Sequence, residues 1–225
     1  MSAIAENISI LKSKLPSTVK LVAVSKTKPV EDIIEAYNAG QKYFGENRVQ
    51  ELLNKKDFLP ADIEWHLIGH LQSNKVKFIV PFISMIQSVD SYKLLVTVNS
   101  EAIKIGRVVD CLLQIHIASE ETKFGFSMHE LNDSLKSYDV LNLKNILICG
   151  VMGMATFSSD TEQVRKEFRY LTDCFHSLKD SYFKSSPGFK EISMGMSGDY
   201  ELALQEGSTM VRIGSLIFGE RSKIQ

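Results

Sequence analysis

The chain has few cysteines, almost no net charge and no long apolar run, and each absence excludes a class of protein. Its 225 residues contain three cysteines, Cys111, Cys149 and Cys174, an odd number without a CxxC pair, which argues against a disulfide framework. Two of them lie in apolar runs, so we expect reduced thiols in the core. Lysine plus arginine (26) nearly equals aspartate plus glutamate (27), which leaves no basic footprint for nucleic acid.

The N-terminal segment and the hydropathy pattern give no sign of export or of membrane insertion. The segment MSAIAENISILKSK lacks both a leading basic region and an apolar stretch, so we expect no signal peptide. No window approaches the roughly 20 apolar residues of a transmembrane helix. We therefore predict a soluble, cytoplasmic protein, in which an apolar fraction of 44% is enough for one sizeable core.

The segment VKLVAVSKTK, residues 19–28, is the stretch around which the chain is organised. Its first seven residues are apolar and β-branched, a pattern typical of a strand buried on both faces. Lys26 follows directly. A lysine that leaves a buried strand is partly desolvated, which favours the neutral amine needed for Schiff-base chemistry. Lysine is also common at strand ends, where it reaches solvent, so this stretch alone favours the simpler interpretation.

Strand and helix patterns alternate along the whole chain. A helical pattern follows each predicted strand, and Ile4, Ile8, Leu11 and Leu15 predict one further helix before the first. No Pro-, Gly- or Ser-rich linker divides the chain, so we predict one domain over residues 1–225. Its fold would be a (β/α)₈ TIM-type barrel with an extra N-terminal helix, with an open doubly wound sheet as the alternative. The predicted strands are 19–25, 42–45, 64–68, 85–89, 108–117, 146–151, 191–194 and 209–213.

The loops after the seventh and eighth strands are rich in small residues. They read SMGMSGD (193–199) and RIGS (212–215), and in such barrels these two loops commonly build a phosphate seat. Ser197 would add a hydroxyl, or it would merely cap the next helix. Barrel closure would bring Lys26 beside this seat. A lysine next to a phosphate seat suggests pyridoxal phosphate, although a Schiff-base aldolase uses the same parts.

Six longer strings carry a more specific signal: VAVSKTKP, FGENRVQE, EWHLIGHLQSNK, SVDSYKL, SMGMSGDYELAL and GSTMVRIGSLIFGER. From about residue 19 to residue 221 they resemble the pyridoxal-phosphate homeostasis protein family, whose fold resembles the barrel domain of alanine racemase. The resemblance implies that Lys26 holds pyridoxal 5′-phosphate as a Schiff base. It implies that Arg212 faces the pyridine nitrogen. The other residues expected at the cofactor are Asn47, Met194, Ser197, Gly214 and Ser215.

The resemblance also bears on whether the protein is an enzyme. A cationic arginine disfavours protonation of the ring nitrogen and makes the cofactor a weaker electron sink. Racemases of this fold resemble two-domain dimers, in which a tyrosine from the second domain of the partner subunit completes the acid–base pair. This chain ends at Gln225, just past the barrel, so we expect that second domain to be absent. By the same resemblance, the position where those racemases carry a histidine after the sixth strand looks like Met154, which cannot transfer a proton. We therefore expect a protein that carries the cofactor, with PLP-dependent apoenzymes as recipients, and keep a weak racemase as the alternative. Because a single barrel without an obvious apolar seam offers little surface for association, we also expect a monomer.

Two further segments need an interpretation. His66 and His70 form an HxxxH pair, but Gly69 breaks any helix there and no third ligand follows, so we expect no metal site. The segment IHIASEETKFGF, at 115–126, departs from the family, which usually has a polar, glycine-containing turn before an ESK-like triplet. Here His116 and residues 118–120 occupy the place of that turn. This difference lies at the mouth of the barrel after the fifth strand. It affects which partner would dock there and leaves the cofactor prediction unchanged.

Overall fold

Parallel strands β1 to β8 close into a barrel, in which each strand is hydrogen-bonded to the next and β8 is hydrogen-bonded to β1. The computed structural model describes residues 2–119, 124–137 and 140–220. Closure is set by the register of the first and last strands, where Val22 lies opposite Arg212. The (β/α)₈ prediction is therefore confirmed, and the open sheet is excluded.

The helices alternate with the strands as the sequence pattern predicts. The strands are β1 Lys20–Val24, β2 Tyr43–Glu46, β3 Glu64–Leu67, β4 Met85–Val89, β5 Val109–Gln114, β6 Ile146–Met152, β7 Glu191–Ser193 and β8 Met210–Ile213. The helices are α1 Ala3–Lys14, α2 Val30–Asn38, α3 Val49–Lys56, α4 Val76–Ile79, α5 Tyr92–Lys104, α6 Met128–Ser137, α7 Thr161–Ser181, α8 Tyr200–Gln205 and α9 Ser215–Phe218. Two short 3₁₀ helices are Ser73–Lys75 and Val140–Asn142.

The helices bury apolar residues in the core, with small departures from the predicted spacing. In α5 the pattern predicts that Ile103 faces inward with Leu94, Leu95 and Val98. Instead Ala102 is buried and Ile103 is 57% exposed. The reason is the helical period, because Ala102 lies one turn after Val98 on the same face, and Ile103 is rotated away from it.

The barrel interior changes character along the strands. At one level it is filled by Val22, Met85, Leu112, Cys149, Met152 and Met210. Side chains two residues further along a strand point to the same face, so Met85 is followed by Gln87 and Met210 by Arg212. Both polar side chains are buried. From this apolar level the interior therefore becomes polar towards the carboxyl ends of the strands.

A bulge between β5 and β6 adjusts the register at this level. Cys111 lies opposite Ile148 and Leu112 opposite Gly150, so one extra residue is accommodated in β6. Gly150 has φ 151°, and a Cβ atom there would lie 1.9 Å from the carbonyl oxygen of Glu191. Only glycine fits. The bulge thereby sets the position along the barrel of Gly153, just past β6, whose carbonyl oxygen accepts a hydrogen bond from Arg212.

The three cysteines are buried free thiols, as expected. Burial raises the pKa of Cys149 to about 12 and that of Cys174 to about 11, so both stay protonated at neutral pH. In the part of the chain that the structure describes, no helix combines the length and the apolar character needed to cross a membrane.

Candidate functional site

A cavity of about 620 Å³ opens at the carboxyl ends of the strands, where sites in this fold lie. Most residues that the sequence predicts for the cofactor line it: Lys26, Asn47, Ser197, Arg212, Gly214 and Ser215. Met194 does not. It is fully buried in the core between strands and helices, and Met154 and Met196 line the cavity.

Lys26 stands at the end of β1, in a turn of unusual backbone geometry. Its side chain is half-buried and lines the cavity. The next residue, Thr27, has φ 64°, a left-handed conformation that costs an L-residue roughly 1–2 kcal/mol. The turn is closed by the Lys28 N–H, which donates to the carbonyl oxygen of Ser25 at 3.0 Å. Strain of this kind is typical of functional sites, where surrounding contacts hold the backbone in place.

Those contacts come from a buried charge cluster formed by Lys55, Glu46 and Glu51. The Lys55 ammonium lies 2.9 Å from Glu46 Oε1 and 2.6 Å from Glu51 Oε1. Glu46 Oε1 also accepts a hydrogen bond of 2.7 Å from the Ser25 hydroxyl. The Thr27 N–H donates to Glu51. The strained turn that carries Lys26 is thus attached on both sides to one cluster of charges.

The end of β2 contributes two buried oxygen atoms without a hydrogen-bond partner in the described residues, Glu46 Oε2 and Asn47 Oδ1. Burial raises the pKa of Glu46 above its usual value, although Ser25 and Lys55 oppose the effect. Asn47 lines the cavity. A buried carbonyl oxygen without a partner is costly, so a ligand that donates a hydrogen bond to Asn47 would be favoured there.

Ser197 joins the two loops that were predicted to seat a phosphate. Its hydroxyl oxygen accepts the N–H of Gly214 at 3.4 Å. Ser197 does not cap α8, because the cap residue is Asp199, whose carboxylate accepts from the N–H of Met196. The two loops are also joined by the Arg212 N–H, which donates to the carbonyl oxygen of Gly195 at 3.0 Å. Ser197 is therefore placed by loop contacts rather than by the helix.

Arg212 is the buried cation of the cavity floor. Its guanidinium donates to the Ser193 hydroxyl at 2.6 Å and to the carbonyl oxygen of Gly153 at 2.9 Å. Burial lowers the pKa of Arg212 to about 10, against an opposing effect of the charge on Asp199. The side chain therefore remains a cation at neutral pH.

The histidines of the HxxxH pair have separate environments. His66 is buried inside the barrel, and its Nδ1 lies 2.8 Å from Gln87 Nε2. His70 is partly exposed; its Nδ1 lies 2.8 Å from Asp90, and its ring stacks on Phe124 at 4.0 Å. Within the described ranges, no group of three metal-binding side chains occurs. Residues 120–123 of the divergent segment lie outside the described residues.

Comparison with known proteins gives the family. The family model described as alanine racemase, N-terminal domain, matches residues 1–222. A pyridoxal phosphate homeostasis protein from Aquifex aeolicus is 42% identical over 203 residues, which are 90% of this chain and 87% of that protein. One from Pongo abelii is 41% identical, over 90% of this chain and 76% of that protein. The chain belongs to the pyridoxal phosphate homeostasis protein family. The resemblance seen in the sequence is therefore confirmed.

Solved structures agree with this family assignment. The structure of PipY from Synechococcus elongatus PCC7942 with PLP bound is 37% identical, with a TM-score of 0.86 over 96% of this chain and 100% of that one. Alanine racemase from Clostridium difficile 630 is 16% identical, with a TM-score of 0.77 over 99% of this chain and 61% of that one. The racemase likeness shows a shared barrel fold. The alanine racemase-like fold predicted for this family member is confirmed.

Proposed function

We propose that this protein binds pyridoxal 5′-phosphate in the cavity and serves cofactor homeostasis in the cytoplasm, holding the cofactor and handing it to PLP-dependent apoenzymes. The observation that carries the proposal is the single cavity that gathers Lys26, Arg212 and the Ser197–Gly214 contact. The family name of the relatives and the PLP bound in PipY support it.

The residues of the cavity fit this ligand group by group. Lys26 would hold the cofactor through its amine, and the aldehyde of the cofactor would supply the carbonyl for a Schiff base. Arg212 has only donors, which suits an unprotonated ring nitrogen. The buried Asn47 oxygen suits a donor such as the ring hydroxyl. Ser197 and the backbone of Gly214 and Ser215 suit the phosphate, because the first N–H groups of a helix have no partner within it.

Two features favour holding over turnover. Arg212 stays cationic at neutral pH, which would keep the ring nitrogen of a bound cofactor unprotonated and weaken the electron sink. Among the described lining residues, the titratable side chains are Lys26, Lys28, Asp199 and Arg212. Lys28 donates to the carbonyl oxygens of Phe218 and Gly219, and Asp199 accepts from the Met196 N–H. Both side chains thus already have hydrogen-bond partners, which supports holding over turnover.

The absorption spectrum with pyridoxal phosphate tests the proposal. We expect a Schiff-base band that borohydride reduces in the wild type, and its loss in Lys26→Ala. Lys28→Ala is the matched control: this lysine is two residues away, and its ammonium is already bonded to α9 carbonyls, so the band should persist. A band that survives in Lys26→Ala would overturn the lysine assignment.

Turnover is tested separately by exchange of the α-hydrogen of amino acids into deuterated water. We expect no exchange above that of free pyridoxal phosphate. Transfer is tested by mixing the loaded protein with an apo-form PLP enzyme and following recovered activity. Catalytic exchange that is lost in Lys26→Ala would establish the racemase alternative instead.

A further inference from the structure

A line of buried polar side chains crosses the barrel interior from Arg212 to His66. The guanidinium Nη1 of Arg212 donates to the Ser193 hydroxyl at 2.6 Å, and that hydroxyl donates to Gln87 Oε1 at 2.7 Å. Gln87 Nε2 lies 2.8 Å from Nδ1 of His66. The four residues come from β8, β7, β4 and β3, and each is at most 3% exposed.

The direction of donation along this line is fixed by chemistry. A guanidinium has no acceptor, so Ser193 must accept from Arg212 and use its own proton towards Gln87. Gln87 then presents its amide N–H₂ to His66. Nδ1 of His66 must therefore accept, which places the ring proton of the neutral imidazole on Nε2.

We propose that Ser193, Gln87 and His66 form a one-directional relay that positions Arg212 at the floor of the cavity. The part of this inference in which Arg212 faces a bound cofactor rests on the proposed function. Ser193 and the Gly153 carbonyl take the two terminal nitrogens of the guanidinium, which fixes its plane. Gln87 and His66 hold the Ser193 hydroxyl in its accepting orientation. All three are positioning residues, since they act through Arg212.

Burial keeps His66 neutral, and one neighbouring charge adds to the effect. The His66 ring lies beside Tyr43 of β2, with centroids 5.8 Å apart, and the charge of Lys20 on β1 disfavours the imidazolium. Lys20 itself pairs with Glu191 of β7 at 2.7 Å. Asp110 of β5 and Cys149 of β6 interact with the same pair. A proton on Nδ1 of His66 would point at the Gln87 N–H₂ group, which is itself a donor. Protonation of His66 would therefore break the hydrogen bond between the two residues and with it the relay.

The relay itself can be tested without any cofactor. ¹⁵N NMR of the unloaded protein locates the His66 proton, and we expect it on Nε2 from pH 5 to pH 8. In Gln87→Glu the carboxylate still accepts from Ser193 and cannot donate, so the His66 proton should move to Nδ1. Asn99→Asp is the control, because this buried amide on α5 uses its oxygen to accept the Asn145 N–H, a role that aspartate keeps. A proton on Nδ1 in the wild type, or an unchanged proton in Gln87→Glu, would overturn the relay.

Positioning of Arg212 is tested by loading with pyridoxal phosphate. Ser193→Ala removes one acceptor of the guanidinium, so we expect affinity to fall about tenfold and the absorption band of the bound fraction to shift. Gln87→Leu removes the acceptor of the Ser193 hydroxyl, so it should shift the band in the same sense, and Asn99→Asp should not. Circular dichroism confirms folding, and Gln87→Leu serves if Ser193→Ala does not fold.

The outcomes separate this inference from the proposed function. If the wild type does not bind pyridoxal phosphate, the proposed function fails, and the NMR result still decides whether the relay exists. If the wild type binds normally and both Ser193→Ala and Gln87→Leu keep its affinity and band, the positioning role is refuted and the proposed function stands.

Discussion

The ammonium of Lys55 donates a hydrogen bond to the carbonyl oxygen of Ser25, 2.9 Å away, and so fixes the peptide that precedes Lys26. The same ammonium pairs with Glu51, which accepts the N–H of Thr27 on the other side. A lysine on α3 thereby anchors both flanks of the lysine at the end of β1. The geometry of Lys26 is thus determined by a neighbouring βα unit rather than by its own strand.

Removing the Lys55 charge should destabilise the protein strongly. Lys55→Met leaves Glu46 as a buried carboxylate without its cation, a change that typically costs about 3–5 kcal/mol. We expect a fall of that size in the free energy of unfolding, measured by urea denaturation at pH 7. Lys56→Met, on the next residue, removes a lysine that pairs with the exposed Asp57 and should change stability by less than about 0.5 kcal/mol. Equal effects of the two substitutions would contradict the cluster's role.

Two glycines of the 193–199 loop should respond oppositely to alanine. Gly195 has φ 93°, and a Cβ atom there would lie 2.6 Å from the Cβ of Ala203, so Gly195→Ala should displace α8 from the loop. A Cβ atom on Gly198 has nothing within 4 Å. We expect Gly195→Ala to cost about 1–3 kcal/mol and Gly198→Ala to be tolerated, as measured by thermal unfolding. The prediction fails if Gly198→Ala is the more harmful of the two.

Ser197 should matter for a phosphorylated ligand and not for its dephosphorylated form. Ser197→Ala removes the hydroxyl at the junction of the two loops, and we expect the affinity for pyridoxal phosphate to fall about tenfold. The affinity for pyridoxal should be unchanged, as followed by fluorescence titration. Ser158→Ala, elsewhere on the cavity wall, is the control and should leave both affinities alone. A parallel loss for both ligands would show that Ser197 shapes the cavity and does not seat the phosphate.

Burial of His66 should make the protein sensitive to acid. Burial, with a further contribution from the charge of Lys20, lowers its pKa to about 3, whereas the unfolded value is about 6.5. Between these values the unfolded chain binds the extra proton, so this contribution to stability is complete above pH 6.5 and is lost as the pH falls towards 3. The slope approaches about 1.4 kcal/mol per pH unit. Urea denaturation at pH 7, 6 and 5 should show a flatter profile for His66→Gln than for the wild type, and an unchanged one for the exposed His129→Gln.

Much of the fold could be predicted from the sequence because local patterns determine it. The strand at 85–89 is observed with the predicted bounds, and most others differ by one or two residues. The fifth is shorter at its far end: Ile115 makes only an isolated bridge to Phe126. Lys26, Ser197 and Arg212 could be predicted as one site because strand ends of a parallel barrel meet on one face.

The supporting residues could not be predicted in the same way. Lys55 lies in a helix, where a lysine is normally expected at the surface. In the structure it is buried beneath the turn that carries Lys26. The signal for Gln87 and Ser193 was weak: each is a lone polar residue in an apolar strand, and period-2 alternation does not reveal its partner.

The sequence by itself determined the alternation of strands and helices, the lysine at the end of β1 and the family. These depend on residues near one another in the chain or on long matching strings. Only the tertiary structure decided that Met194 lies in the core, that Ser197 joins two loops instead of capping α8, and that the guanidinium of Arg212 donates to Ser193 of β7 and to Gly153 just past β6. Barrel closure brings together side chains more than 100 residues apart, such as Gln87 and Ser193. Their contacts depend on strand tilt and register, which no local pattern encodes.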